Sequence, residues 1–277
     1  MDFGDWAQLF HQGGNLRARA GEHLDGHRRD SSRRQSAWHG GLAPDAITRF
    51  AFRDDTGAKP CRPRAILFVM CVRLRICYIT DRKSLPGRSL EAFAPEVIAA
   101  GVDLIQIREK DLETRALLNL ALNLVAASQG HASRVVINDR LDVALAAGAA
   151  GVHLGRLSLP AQQVRRIVPQ DFQVGASCHS VTEVRAAEEA GANYVLLGPI
   201  FETPSKLGYG PPLGLESLRR AASMVSIPIL ALGGITVERA WQCREAGAAG
   251  FAGIRIFQEA PSVARRVQEL RQNWGEP

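Results

Sequence analysis

The sequence predicts a single (β/α)8 barrel of the TIM type, preceded by an irregular N-terminal extension. Three observations carry this. Beyond residue 70, short apolar runs of strand length alternate eight times with helix-like segments. Four helix ends repeat one phrase, "AAGVDLI", "AAGAAGVHL", "EAGANYVLL" and "EAGAAGFAGI". In each, Gly closes a helix in the left-handed conformation and a strand begins within a few residues, so one helix-to-strand unit recurs. Finally, the first strand runs into "ITDRKSLPG", which lacks the G-x-G-x-x-G of an open doubly wound sheet.

The strands are expected at Leu74–Ile79, Asp103–Ile107, Arg134–Asn138, Gly151–Leu154, Gln173–Ala176, Tyr194–Leu197, Ile227–Leu232 and Gly250–Ile254. In such a barrel the active site lies at the C-terminal ends of the strands, so the residues just past each strand matter most. With 277 residues, 46% hydrophobic and 22% charged, the chain can form a sizeable core. The net charge of +6 lies largely in an arginine-rich N-terminal region and on scattered helices. No nucleic-acid-binding signature accompanies it, and no nucleic-acid partner is expected. The cysteines number five with no C-x-x-C pair, which reads as reduced thiols in a cytoplasmic protein. The run "AILFVMCV" is too short to span a bilayer, so no membrane role is expected.

Residues 1–69 read differently from residues 70–277. "NLRARAGEHLDGHRRDSSRRQSAWHGG" has no sustained apolar period and is rich in Arg, Gly, His and Ser. His23 and His27 have helical spacing, but no Cys or paired acidic ligand surrounds them, and a solvated tail is the expectation. Met70 opens "MCVRLRICYITDR", where regular structure begins, which makes it a candidate start of the chain.

The second strand, "LIQIREK", sets Gln106, Arg108 and Lys110 on one face, because alternate strand residues share a face. Burying two cations and an amide together demands a partner. Acidic neighbours in a salt-bridge network would serve; three donors at a strand end favour an anionic ligand. After the third strand, "VVINDR" brings Asn138 and Asp139 to the mouth. Asp139 could cap the next helix or hold Mg²⁺, which often takes one or two carboxylates plus substrate phosphates. In "GVHLGRLSLP", His153 belongs to the fourth strand, and Ser158 is expected to cap the helix that Pro160 helps to open. "GASCHS" delivers Ser177, Cys178 and His179, with His179 a candidate acid/base and Cys178 a thiol with no sign of activation. "GPIFETPSK" then supplies Thr203, Ser205 and Lys206, hydroxyl and ammonium donors that suit phosphate. Gly233 and Gly234 in "ALGGIT" admit close backbone approach, and Arg255 comes after the eighth strand. Barrels often bind phosphate after strands seven and eight. Two anion sites are therefore expected, one around Arg108, Lys110 and Lys206, the other at the last two strands.

Taken in order, "YITDR", "QIREK", "VINDR", "GVHLG", "GASCHS", "GPIFETPSK" and "ALGGI" resemble the thiamine phosphate synthase and thiazole tautomerase superfamily. The resemblance covers about residues 74–258. It implies a transferase that joins an aminopyrimidine diphosphate to a thiazole phosphate, releasing diphosphate. Diphosphate would leave first, and the thiazole nitrogen would attack the resulting pyrimidinylmethyl cation. By this resemblance Gln106, Arg108, Lys110 and Asn138 face the pyrimidine diphosphate, and Asp139 holds Mg²⁺. Ser177, Thr203, Ser205 and Lys206 match substrate contacts, while Gly233 and Gly234 hold the thiazole phosphate. The partners are thus small phosphorylated pyrimidine and thiazole molecules, and assembly as a homo-oligomer is compatible with the sequence.

One departure divides the superfamily's two activities. Its synthases usually carry an Asp soon after "GVHLG" as a second Mg²⁺ ligand; here Ser158 stands there. Arg255 also stands where small residues are usual. "SCHS" and "SKLGYGPPLG" look closer to the tautomerase branch, which moves a proton on a thiazole carboxylate phosphate with a histidine matching His179 and needs no metal. The intact "QIREK", Asn138, Asp139 and Thr-x-Ser-Lys favour the synthase. A barrel that binds thiazole or thiamine phosphates without turnover is the third alternative.

Overall fold

The first strand opens on Arg75 and the last helix closes at Trp274 in the computed structural model, which describes residues 75–203 and 211–274. The expectations for residues 1–69, Leu74, Ser205 and Lys206 lie outside the described residues. Eight parallel strands close on themselves in chain order: β1 (Arg75–Ile79), β2 (Leu104–Ile107), β3 (Arg134–Asn138), β4 (Gly151–Leu154), β5 (Gln173–Cys178), β6 (Tyr194–Leu197), β7 (Ile229–Leu232) and β8 (Gly250–Gly253). The pairing of β1 with β8 completes the barrel, from Arg75 opposite Gly250 to Tyr78 opposite Gly253. Sequence and structure differ only at strand ends: β5 runs two residues further, to Cys178, and β7 begins at Ile229 because Pro228 has no N–H for the ladder.

Between the strands run α1 (Leu90–Ala99), α2 (Thr114–Ser128), α3 (Leu141–Ala146), α4 (Ala161–Arg165), α5 (Val181–Glu189), α6 (Gly214–Met224) and α7 (Val237–Glu245), with α8 (Arg255–Gln258) and α9 (Val263–Trp274) after β8. Ser89, Ser180 and Thr236 cap α1, α5 and α7 by accepting the backbone N–H three residues on. The repeated helix-end glycines, Gly101, Gly148, Gly191 and Gly247, all have φ between 63° and 90°. Only glycine takes that conformation without strain, so the phrase in the sequence encodes the turn back into the sheet.

Alternation along the strands splits the apolar residues into two layers. Ile76, Tyr78, Ile105, Ile137 and Val152 face the helices in the large outer core. Cys77, Ile79, Tyr194, Leu196, Leu230 and Ala252 form a small inner cluster. The barrel is therefore packed, and its inner residues nearest the C-terminal rim are the ones placed to meet a ligand. Phe251 and Phe257 stack, and Tyr78 packs edge-on against Phe93 and Phe257, which locks α1 and α8 onto the barrel wall.

Candidate active site

Polar groups interrupt the apolar interior at one level. Gln106 is buried on β2, and its Nε2 donates to Asn138 Oδ1 of β3 at 2.8 Å. Asn138 Nδ2 donates onward to Asp139 Oδ2 at 2.6 Å. Gln106 Oε1 has no partner among the described residues, so this amide presents a bare acceptor inside the barrel. A buried polar atom without a partner is rare, because it forfeits its bonds to water.

On the adjoining strands His153 is fully buried between Tyr194 and Ser177, with Nδ1 3.2 Å from Tyr194 Oη and Nε2 2.9 Å from Ser177 Oγ. Burial pushes the His153 pKa down to about 3, so the ring is neutral and carries one proton. Burial likewise raises Tyr194, which keeps its hydroxyl proton. A neutral imidazole donates through one nitrogen and accepts through the other, so His153 bridges Tyr194 and Ser177. His153 also makes stability depend on pH. The unfolded chain protonates it near pH 6.5, the folded protein only near 3. The unfolded state binds more protons in between, so the stabilisation is whole above about pH 6.5 and lost as pH falls toward 3, at up to about 1.4 kcal/mol per unit. Urea unfolding at pH 7 and 5 should show His153→Gln losing less stability on acidification than the native chain; equal losses would contradict this.

Above this layer sit the rim cations, Arg108 and Lys110, both exposed just past β2. Arg108 N donates to Thr80 Oγ1 at 2.9 Å, which fixes its backbone at the end of β2. Lys110 lines a cleft of about 260 Å³ with Asn138, Asp139 and Arg140. The cations nearest them in the β1 and β3 loops are paired. Arg82 binds Asp111 through two bonds of 2.8 and 2.7 Å and reaches Glu109 at 3.4 Å. Lys83 also pairs with Asp111, and Arg140 with Asp142. Arg82 and Lys83 hold the Asp111 carboxyl well below the usual carboxylate range. Arg108 and Lys110 have no acidic partner among the described residues. The salt-bridge network that could have explained "QIREK" instead engages Arg82 and Lys83, with Asp111 shared between them and Glu109 bound to Arg82, neither of which was expected from sequence.

Two helix-capping expectations are corrected. Asp139 does not cap α3: Arg140 occupies that position, and Asp139 sits at φ 61° with its carboxylate turned to Gly155 N and Ser158 Oγ. Ser158 does not cap α4 either, because Pro160 is the residue before that helix and no side chain caps it. Its hydroxyl donates to Asp139 Oδ1 and accepts from Gly155 N at 2.7 Å.

Across the mouth a larger cleft of about 680 Å³ brings together Thr203, Gly233, Gly234, Arg239, Arg255 and Arg266. Arg239 and Arg266 were not singled out in the sequence. Arg239 Nη1 donates to the Gly234 carbonyl at 2.8 Å and its guanidinium lies 4.8 Å over the Phe201 ring. The glycine pair is demanded by packing as well as by any ligand. Both have positive φ, and a Cβ on Gly233 would lie 2.7 Å from Pro199 Cβ. Cys178 is buried and its thiol is pushed up to about 12, so it is no nucleophile.

This rim has known relatives. The sequence profile of the thiamine monophosphate synthase family matches residues 76–257. The chain belongs to that family. The thiamine-phosphate synthase of Albidiferax ferrireducens is 39% identical over 199 residues, 72% of this chain and 91% of that protein. That of Methanoculleus marisnigri is 43% identical over 194 residues, 70% and 92% of the two chains. In structure, the thiamine phosphate pyrophosphorylase of Pyrococcus furiosus superposes with a TM-score of 0.66 at 32% identity, covering 74% of this chain and 97% of that one.

Membership of the thiamine monophosphate synthase family implies Mg²⁺, and the donors at the rim suit it in a particular way. Asp139 is a single carboxylate, Ser158 sets a hydroxyl oxygen beside it, and Asn138 turns its amide nitrogen to it while its own oxygen goes to Gln106. No trio of His, Cys, Asp or Glu gathers among the described residues. One carboxylate and one hydroxyl fit a hard cation only where substrate phosphates and water complete its shell. His179, the acid/base of the tautomerase alternative, donates from Nδ1 to the Gly198 carbonyl at 2.6 Å. Its backbone N–H, not its ring, meets Glu183 at 2.6 Å. The ring is thus oriented by a neutral carbonyl, leaving Nε2 as its basic nitrogen.

Proposed function

We propose that this chain is a thiamine-phosphate synthase: it joins 4-amino-2-methyl-5-pyrimidinylmethyl diphosphate to a thiazole phosphate and releases diphosphate. The observation that carries this is the contrast at the rim. Arg82, Lys83 and Arg140 all have carboxylate partners, whereas Arg108 and Lys110, above the Gln106–Asn138–Asp139 chain, have none among the described residues. Unneutralised cations at a barrel mouth suit a polyanion.

In this reading the Gln106 amide, with its open acceptor, takes the amino group of the pyrimidine. Arg108 and Lys110 neutralise charge that grows on the diphosphate as its C–O bond breaks, and Ser177 donates to one of its oxygens. Asp139, with Asn138 and Ser158 beside it, would hold Mg²⁺, which when bound adds positive charge to the departing diphosphate. The thiazole phosphate occupies the cleft across the mouth, under Gly233, Gly234 and Arg255. No protein nucleophile is needed, and rate comes from positioning and from charge already in place. Thr203, also in that cleft, completes the proposed substrate contacts together with Ser205 and Lys206, which follow it closely in the sequence. Free, buried Cys77, Cys178 and Cys243 support a reducing, cytoplasmic setting. No helix among the described residues is long and apolar enough to cross a membrane.

The full chain incubated with both substrates and Mg²⁺ should release diphosphate in step with thiamine phosphate, and EDTA should stop it. Release that ignores EDTA would remove the metal from the scheme. Proton exchange on the thiazole alone, lost in His179→Ala, with no diphosphate formed, would establish the tautomerase instead.

A further inference from the structure

Ser158 sits at the mouth opposite Asp139, and the hydrogen bonds around it are complete. The Ser158 amide donates to Gly155 O at 3.1 Å, a tight turn that brings the side chain over the Asp139 carboxylate. The hydroxyl donates to Asp139 Oδ1, and Gly155 N donates to both Ser158 Oγ at 2.7 Å and Asp139 Oδ1 at 3.1 Å. Asn138 Nδ2 holds the other oxygen, Oδ2, at 2.6 Å. Both carboxylate oxygens are therefore already engaged by neutral donors, and the side chain is fixed by a backbone at φ 61°.

Asp139 brings one negative charge to the mouth, and Lys110 lines the same cleft with a positive one. Arg108 stands two residues before Lys110 at the end of the same strand, exposed at the rim, with its amide held by Thr80 Oγ1 at 2.9 Å. Glu109 and Arg140 line that cleft too, but Arg82 holds Glu109 and Asp142 holds Arg140. Before substrate arrives, a divalent cation therefore meets one carboxylate outside an ion pair, Asp139, and the cations Lys110 and Arg108. Such a place is unfavourable for a lone hard cation, which would also have to displace or share the Ser158 hydroxyl. A diphosphate reverses the sign: it satisfies Arg108 and Lys110 and supplies the missing anionic oxygens.

We infer that Ser158 makes this a one-carboxylate site that takes a divalent cation only together with a diphosphate, so that cation and polyanion bind as a unit and the free protein holds neither firmly. The inference rests on the synthase reading for the identity of the polyanion. Ser158 acts as a positioning residue: it aims Asp139 and withholds the second carboxylate that would pre-load the site.

The test uses Mn²⁺ as the probe and water-proton relaxation as the reading of protein-bound metal, with the full chain. Mn²⁺ alone should give little enhancement. Inorganic diphosphate should raise Mn²⁺ affinity by about tenfold or more, and Mn²⁺ should tighten diphosphate by the same factor, as linkage requires. Ser158→Asp should bind Mn²⁺ without diphosphate, about tenfold or more tighter than the native chain. Ser158→Ala should stay as weak as the native chain toward Mn²⁺ alone, because it adds no carboxylate. Tight Mn²⁺ binding by the native chain without diphosphate, or no gain from diphosphate, overturns the inference. So does a Ser158→Asp variant that melts normally yet gains nothing. If that variant does not fold, the two native-chain arms decide. No arm requires turnover: a chain that binds Mn²⁺ with diphosphate but forms no thiamine phosphate would overturn the synthase reading and leave this inference standing.

Discussion

Lys110→Ala lowers kcat by roughly two to three orders of magnitude while the thermal midpoint stays where it is. The size comes from removing one preorganised charge aimed at a leaving group, which typically costs about 10²–10³ in rate. The effect falls on kcat because negative charge is greater on the departing diphosphate than on the bound substrate. Stability is spared because Lys110 is exposed and holds no carboxylate among the described residues. Surface substitutions away from such contacts usually stay within about 0.5 kcal/mol. Lys110→Arg keeps the charge and should recover part of the rate, but not all, since a guanidinium fork places it differently. Steady-state kinetics and a melting curve on the same preparations decide the matter. A variant that unfolds would make Lys110 structural, and one that turns over normally would remove it from the diphosphate site.

Gly175→Ala is expected to destabilise the fold strongly. A Cβ there would lie 2.2 Å from Tyr194 Cζ, 2.4 Å from Tyr194 Oη and 2.6 Å from His153 Nδ1. Both rings are buried inside the closed barrel and have nowhere to retreat. Overpacking costs about 1–3 kcal/mol, and parting His153 from Tyr194 leaves buried polar groups unsatisfied at a similar cost. A loss of at least about 3 kcal/mol in urea unfolding is expected on those grounds. Gly175→Ala combined with Tyr194→Leu should recover part of it, a non-additivity that marks direct contact. A single variant within about 1 kcal/mol of the native chain would mean the interior yields more than close packing allows.

The strands and the inward turn of Gln106 were legible because alternation fixes a side chain's face from neighbours alone. The helix-end glycines were legible for a similar reason: a left-handed residue must be glycine almost wherever the turn occurs. What escaped depended on residues far apart in the chain. Nothing local says that Arg82 will take Glu109 and Asp111, or that His153 will lie between Tyr194 and Ser177. Those pairings are set by barrel register, as Asn138 opposite His153 and His153 opposite Gly175 illustrate. Neither Asp139 nor Ser158 caps a helix, Ser158 because Pro160 stands next to α4. Spacing placed Asp139 and Ser158 near helix starts, but Asp139's left-handed backbone turned its carboxylate toward Ser158 instead. The loop after β6 contributes Thr203 to the larger cleft, while Ser205 and Lys206 stay with the proposal.

The positive φ of Asp139 bears on how this rim can change by descent. Besides glycine, asparagine and aspartate are the residues that tolerate such a backbone most readily. Asparagine and glycine codons each lie a single base from an aspartate codon. A lineage could therefore shed the anionic group there in one mutational step while keeping its scaffold. A duplicated gene freed from its original duty would have a short path to chemistry that makes no use of a metal.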